Sequence, residues 1–416
     1  MAVIQDCIDI IINIPGFSAC LVDSMLDEDG VYSLMIELKR KEPSYECQCG
    51  RKYTTVYDSR ERCVRDLSYG AWKRSWLVFW QHRVDCSECG IVNERFTWIA
   101  PMKVYTKRLA AAVALACREM RSIKSISEQF DLHWGTVKNM DKEALKSELP
   151  ATCEASPRYI GVDEFSIKKR HHYGTAVVDL ENRTIPYIAE HRKKESLAGF
   201  YKELGKEKCE KIRAVAMDMW PAYRRATRDY CSKAEIVYDP FHIISAYSRD
   251  VIDKVRVAEA KKAEKQNRST IRGSRYLLLK NASSLDKSKN EHVRLSELLK
   301  LNRSLEIVYT LKDDLRQIWH YKSEAWAIKW FDGWYQRAMH SNITPLKNFA
   351  KKLKKHIDGI IAHCMHPIHT SILEGINNKI KVIKRISFGF RDQDYFFLKI
   401  RAAFMIPSPT PFHFKT

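Results

Sequence analysis

Two stretches near the start alternate in steps of two. VYSLMIELKR at 31–40 and SWLVFWQHRV at 75–84 put apolar side chains on one face of a strand and polar ones on the other. Each run leads into a turn: Glu42-Pro43-Ser44 and then Cys47-Gln48-Cys49-Gly50 after the first, Cys86-Ser87-Glu88-Cys89-Gly90 after the second. From Thr106 the period becomes helical, with KRLAAAVALACREM, SIKSISEQF, a break at Asp131-Leu132-His133, and WGTVKNMDKEALK. A short helix, a tight turn and a second helix predict a helix-turn-helix, with Thr136, Lys138 and Asn139 at the groove-facing start of the second helix. Glu154-Ala155-Ser156-Pro157 reads as a linker. Beyond it come three strand-like runs, RYIGVDEFSI, HYGTAVVDL and TIPYIAE, then a helix from about Glu195, the run RAVAMDM, a helix from about Pro221, and EIVYD. This alternation predicts a mixed sheet in an α/β or α+β layout. From Phe241 to about Phe349 the pattern is helical and basic, with Trp319, Trp326, Trp330 and Trp334 toward its end.

Composition narrows the class. A chain of 416 residues suggests about two to four domains, and 45% hydrophobic with 29% charged residues fits a protein with real cores. No uncharged apolar stretch is long enough to cross a bilayer. The apolar first residues carry Asp6 and Asp9 and lack a basic start, so no signal peptide is expected and the cytoplasm is the expected location. Lys and Arg number 71 against 51 Asp and Glu, a net charge of +20. That excess favours a polyanion; an acidic membrane is the other candidate, but no basic amphipathic anchor supports it. Double-stranded nucleic acid is the expected partner.

Of the twelve cysteines, Cys7, Cys20, Cys117, Cys153, Cys209, Cys231 and Cys364 are scattered and read as reduced core residues. Cys47, Cys49, Cys86 and Cys89 cluster. Two cysteine-glycine turns at strand ends are how a zinc ribbon is built, the glycine letting backbone amides turn toward thiolates. The first pair has only one residue between its cysteines, and Cys63 is a spare candidate. A small reduced subdomain without metal is the alternative.

Asp218 interrupts an almost continuous apolar run, the pattern of a central strand, and Asp163 follows apolar residues in the same way. Carboxylates there are costly unless paired or metal-bound. Adjacent strands bringing the two together would demand a cation, and Mg²⁺ prefers carboxylate oxygen. A third acid, Glu374, lies in a helical segment. At about 100° per residue, Asn378, Lys381 and Arg385 fall within about 40° of it, and Ile372, Ile376, Ile380 and Ile383 lie opposite. A solvated face would explain such a stripe, but the paired asparagines and Gly375 are poor choices for a merely exposed helix.

With these residues in view, the catalytic half resembles the DDE transposases of bacterial insertion sequences, specifically the ISL-three family. The matching stretches are GVDEFSIKK around Asp163, AMDMWPAYRRA around Asp218, YDPFHIISAYSRDVIDKVR, and LEGINNKIKVIKRISFGFRDQDYF around Glu374. The family also has an N-terminal cysteine zinc finger followed by a helix-turn-helix. The resemblance implies an α+β multidomain protein: a zinc-ribbon-like region over 1–100, a helix-turn-helix region over 101–155, and a ribonuclease H-like catalytic domain over 156–416 with a helical insertion at about 265–360. It implies Asp163, Asp218 and Glu374 as the catalytic triad holding Mg²⁺ or Mn²⁺. His242 takes a supporting role, a core or surface histidine being the alternative; Asn378, Lys381 and Arg385 are also supporting residues, with Lys381 and Arg385 holding flanking phosphates. Zn²⁺ on the cysteine cluster, element-end and target DNA as partners, a homo-oligomer in the DNA complex and a nucleoid-associated location in the bacterial cytoplasm complete the expectation. The chain departs from the family at Glu46, where a first cysteine is expected; Cys47 would substitute through a shifted turn. A structure-specific nuclease, or an inactive DNA-binding protein on the same fold, are the competing expectations.

Overall fold

The computed structural model describes residues 9–26, 29–168, 172–281, 284–368 and 371–405. They pack as two compact units, one from the chain up to Leu149 together with Lys381–Ala403, the other from Pro150–Ile380 with Phe404.

The first unit begins with β1 (Phe17–Leu26) and β2 (Tyr32–Arg40), then the two-residue strands β3 (Tyr45–Glu46) and β4 (Lys52–Tyr53), then β5 (Asp58–Asp66), β6 (Arg74–Cys86) and β7 (Gly90–Asn93). The sheet order is β1-β2-β6-β5, with β7 also on β6 and β3 paired only with β4. Both alternating runs of the sequence are strands, and they pair with each other in parallel. Their inward residues Ile36, Leu77 and Phe79 bury against Phe17 and Trp98. Buried Asp66, at the end of β5, accepts hydrogen bonds from the hydroxyls of Thr106 at 2.6 Å and Tyr69 at 2.8 Å. Arg108 also pairs with it, which ties the sheet to the first helix.

Three helices follow, Lys107–Ala116, Ile123–Phe130 and Trp134–Glu148. The middle one is capped by Ser122 and stopped by Asp131 in a left-handed conformation (φ 51°), a backbone that aspartate tolerates better than most residues. The third starts after His133, whose ring accepts from Gly135 N. Leu109, Val113, Ile126, Val137 and Met140 form their shared core. This is the expected helix–turn–helix arrangement. The C-terminal helix Gln393–Ala403 packs on the third. Asp141 is fully buried there and holds the Tyr395 hydroxyl at 2.6 Å and Lys399 Nζ at 3.1 Å.

The second unit is built on β8 (Tyr159–Lys168), β9 (His172–Asp179), β10 (Thr184–Glu190), β11 (Ala214–Met217) and β12 (Glu235–Tyr238). Their order is β10-β9-β8-β11-β12. The first three form an antiparallel meander, and β11 runs parallel to both β8 and β12. The apolar run Ala214–Met217 is buried throughout, as expected of a central strand. Helices occupy most of the segment from Pro240 to Lys354, closing a core around Leu305, Leu311, Phe331 and Trp334.

One helix, Ser371–Ile386, reaches β8 directly. A Cβ on Gly161 would stand 2.7 Å from Leu373 Cδ2, so the helix passes where the strand has no side chain. Four residues on, Asn377 reaches Asp163, two residues on in β8. Four helical residues rise about 6 Å and two strand residues about 6.6 Å, so the elements stay in step and run the same way.

The structure corrects several expectations. Cys20 and Cys153 are exposed and Cys364 is half-buried, whereas Cys117, Cys209 and Cys231 are buried as expected; Cys7 lies outside the described residues. The buried face of the last-named helix is Leu373, Ile376, Ile380 and Ile383; Ile372 is only half-buried. No helix among the described residues is long and apolar enough to cross a membrane.

Gly161→Ala should destabilise the second unit by about 1–3 kcal/mol, because the added methyl meets Leu373 and Leu180 in packed surroundings. A thermal midpoint equal to wild type would contradict the close approach.

Candidate active site and cysteine cluster

Strand register sets the first feature of the site. Met217 pairs with Val162 on one side and with Tyr238 on the other. The next residue on each strand is acidic, so Asp163, Asp218 and Asp239 come level on three neighbouring strands spaced about 4.8 Å apart. Asp163 is half-buried, Asp218 exposed and Asp239 buried.

Each acid is held differently. Asp163 accepts from Asn377 Nδ2 at 2.7 Å and from the amide of Glu164 at 2.7 Å. Burial nevertheless pushes its carboxyl up to about 6. Asp218 accepts from the Met219 amide at 2.6 Å. Asp239 caps the helix Pro240–Tyr247 through Phe241 N at 2.8 Å and lies 2.9 Å from His242 Nδ1. The Asp239 contact raises the His242 imidazole to about 9 against the effect of burial, and the charges of Asp218 and Asp163 raise it further. At neutral pH an imidazolium therefore stands among three carboxylates.

Beside the row, Glu164 pairs with Arg192 at 3.0 Å. The Arg192 guanidinium lies 4.8 Å from the Tyr173 ring and 4.7 Å from the Trp220 ring, and Trp220 Nε1 donates to Arg192 O at 2.9 Å.

Glu374 is exposed on the helix Ser371–Ile386, one residue after Leu373 and three before Asn377. Asn378 is also exposed; the amide that reaches Asp163 is that of Asn377. Lys381 and Arg385 are exposed and belong to the first unit. The sequence pointed to Asp239 only as the start of Asp239-x-x-His242, and it missed Asn377, which adjoins the asparagine it singled out. The ligand atoms of Asp163, Asp218 and Glu374 are not all within 4.8 Å of one another; among the described residues only the four cysteines form such a group. The row still offers hard oxygen donors with too little positive charge beside them, a donor set that suits Mg²⁺ or Mn²⁺.

The cysteine cluster lies in the first unit. Cys47 and Cys49 lie in the turn between β3 and β4, while Cys86 ends β6 and Cys89 lies in the turn before β7. Gly50 and Gly90 have φ of 89° and 70°, as turns toward thiolates require. All four Sγ atoms lie within 4.8 Å of one another, and Cys49 Sγ is 3.7 Å from Cys86 Sγ. Four sulfurs at 2.3 Å from a tetrahedral zinc would be about 3.8 Å apart. The short first spacing is thus no obstacle, and exposed Cys63 on β5 is not part of the group.

On the second helix of the helix-turn-helix, Asn139 is exposed and Thr136 half-buried. Lys138 lies 3.2 Å from Asp392 Oδ2 and Lys142 2.9 Å from Asp392 Oδ1. Against the cost of burial, these lysines and the Tyr395 amide hold Asp392 down to about 2. Trp134, where the sequence places the start of this helix, is 57% exposed.

Comparison with known proteins agrees with this layout. Residues 160–400 match a family model described as a transposase. Residues 94–145 match the helix-turn-helix domain of transposase family ISL3. The chain is 40% identical over 381 residues to the transposase for insertion sequence element IS1001 of Bordetella parapertussis, covering 91% of this chain and 93% of that one. It is 27% identical over 378 residues to the transposase for IS1557 of Mycobacterium tuberculosis, covering 83% and 82%.

Purified protein should carry one zinc per chain. Cys86→Ser should release it and lower the thermal midpoint; zinc content unchanged by that substitution, or free thiols at Cys47, Cys49, Cys86 and Cys89 in the untreated protein, would contradict the site. The His242 imidazole should titrate near 9 by NMR. Because its folded value is raised, the stabilising effect of the pair is complete below about 6.5 and fades as pH rises through about 9. In Asp239→Asn the midpoint should fall toward the ordinary imidazole value of about 6.5. An unchanged midpoint would mean that Asp239 does not hold the ring.

Proposed function

This chain belongs to the ISL3 family of insertion-sequence transposases, and on that premise we propose that it binds the terminal inverted repeats of its element, cuts there, and joins the freed ends to target DNA. As a DDE-type transposase it needs three carboxylates, which we assign to Asp163, Asp218 and Glu374. The row set by β8 and β11 carries this reading, with the helix of Glu374 packed over β8 at Gly161. The strand order β10-β9-β8-β11-β12, an antiparallel meander followed by two parallel strands, supports a ribonuclease H-like fold for the catalytic domain. We keep the division into a zinc-ribbon-like region over 1–100, a helix-turn-helix region over 101–155 and a catalytic region over 156–416 as the functional partition.

Asp163 and Asp218 would hold Mg²⁺ or Mn²⁺, with Glu374 completing the set. When bound, the metal would activate water or a 3′-hydroxyl for in-line attack and stabilise the departing oxygen. Asn377 and the Glu164 amide each donate to one oxygen of Asp163 and so fix its carboxylate in place. Asp239 keeps His242 protonated, so the imidazolium is a ready partner for a non-bridging phosphate oxygen next to the acids. Arg192, stacked between Tyr173 and Trp220, offers a second cation on the β9 side. In the first unit, Asn139, Thr136 and exposed Trp134 would meet the groove, and zinc on the cysteine cluster would fix the neighbouring turns. Several copies would assemble on the paired ends.

Glu374→Gln keeps the side-chain shape and removes the charge. Nicking and strand transfer on a labelled element end should fall at least a thousandfold while end binding persists. Asp163→Asn and Asp218→Asn should match it, and the double changes should be scarcely worse, as for groups that act as a unit. Wild-type cleavage by Glu374→Gln would sink the triad. Cleavage without joining by the wild type would favour a nuclease.

A further inference from the structure

The helix Ser371–Ile386 ends in an unusual cap. Gly389 N donates to Lys384 O at 3.0 Å and Phe388 N to Arg385 O at 3.0 Å, the paired bonds of a Schellman ending. In that motif the left-handed residue just past the helix is ordinarily glycine, sometimes asparagine. Here it is Phe388, with φ 51°, and the glycine comes one residue later. Its side chain is 95% exposed. A bulky residue in this conformation is strained, and a ring left in water gains nothing from burial to offset the strain. Such outliers persist where the surroundings impose them and concentrate at functional sites.

The surroundings do impose it. Phe390, two residues on, turns inward and stacks on Phe396 at 4.6 Å between ring centroids. Asp392 accepts from the Tyr395 amide at 3.1 Å, starting the C-terminal helix. The same carboxylate pairs with Lys138 and Lys142 on the second helix of the helix-turn-helix. Phe388 therefore projects from a rigid mount fixed to the recognition helix, within one unit. Its exposed neighbours Arg385 and Arg391 are both cationic, the charge that complements a phosphate backbone.

We propose that Phe388 is a DNA-contacting residue whose ring stacks against a base at the element end, entering beside the groove occupied by the recognition helix. An apolar ring between flanking arginines is the chemistry of a side chain that unstacks a base step while its neighbours hold the phosphates. Asp392 acts as a positioning residue for the loop. The inference rests on the reading of this chain as a binder of its own element ends.

Duplexes of the element's terminal inverted repeat, each with 2-aminopurine at one successive position, supply the probe. Wild-type protein should raise the fluorescence at one or two adjacent positions. Phe388→Ala should abolish that rise and weaken binding about tenfold, and Phe388→Trp should retain both. Phe388→Gly separates the two roles of the position: it should raise the thermal midpoint by relieving the strained backbone, yet lose the fluorescence signal. Binding and fluorescence equal to wild type in both Phe388→Ala and Phe388→Gly would overturn the assignment and leave the end-binding reading intact. A change in oligomeric mass with no change on DNA would overturn it in favour of a second copy as the occupant. Wild-type protein with no affinity for the repeat would overturn the end-binding reading, and this proposal with it.

Discussion

Bringing like charges level on adjacent strands is the constraint to which the catalytic unit answers. Register pairs Val162 with Met217 and Met217 with Tyr238, and the residue after each is an aspartate. At strand spacing the repulsion is substantial where water is excluded; burial pushes the Asp163 carboxyl up to about 6, and the nearby charges of Glu164 and Asp239 add to that push. Around this row the structure collects what relieves it. Asn377 donates to Asp163, the Met219 amide donates to Asp218, and His242 is kept cationic by Asp239. The compensation is partial, and a partly compensated row of carboxylates is what a divalent ion completes. Gly161 belongs to the same arrangement. Without its bare backbone the helix of Leu373, Glu374 and Asn377 could not lie against β8.

The DNA-binding unit depends on a different buried charge. Asp141, fully buried on the recognition helix, is held by Tyr395 and Lys399 of the C-terminal helix. Removing those partners would leave the buried carboxylate with only Arg118, 3.6 Å away, a costly loss. The C-terminal helix is thus part of the folded helix-turn-helix, although it lies some 250 residues away in sequence. Lys138, expected at the groove-facing start of that helix, is paired with Asp392 beside Lys142, while Trp134 and Asn139 are exposed.

How much of this was legible in the sequence follows from the range of the interactions. Local signals read well. Alternation at 31–40 and 75–84 marked two strands, the break at Asp131 marked the helix-turn-helix, and charge interrupting an apolar run singled out Asp163 and Asp218. The cysteine-glycine turns were legible because their glycines carry a backbone requirement. Strand β5, with the sequence DSRERCVRD, was not; its charged residues face water along most of its length and mask the period. Long-range partners were missed for a related reason. Periodicity tells which face of a helix is apolar but not its phase to within one residue, so Asn378 was chosen where Asn377 makes the contact and Ile372 where Leu373 is buried. Asp239 was legible only as the start of the motif Asp239-x-x-His242. Only register with Met217 reveals its second role. The cap at Phe388 could not have been read at all, since nothing local distinguishes a phenylalanine turned outward from Phe390 turned inward.

The central claim is that the acids on β8 and β11, with Glu374, form a divalent-metal site. Anomalous scattering from crystals of the wild-type protein soaked in Mn²⁺ tests it most directly. The account predicts one or two peaks beside Asp163 and Asp218, and their loss in Asp163→Asn. Manganese absent from those two carboxylates, or bound there unchanged in Asp163→Asn, would contradict it.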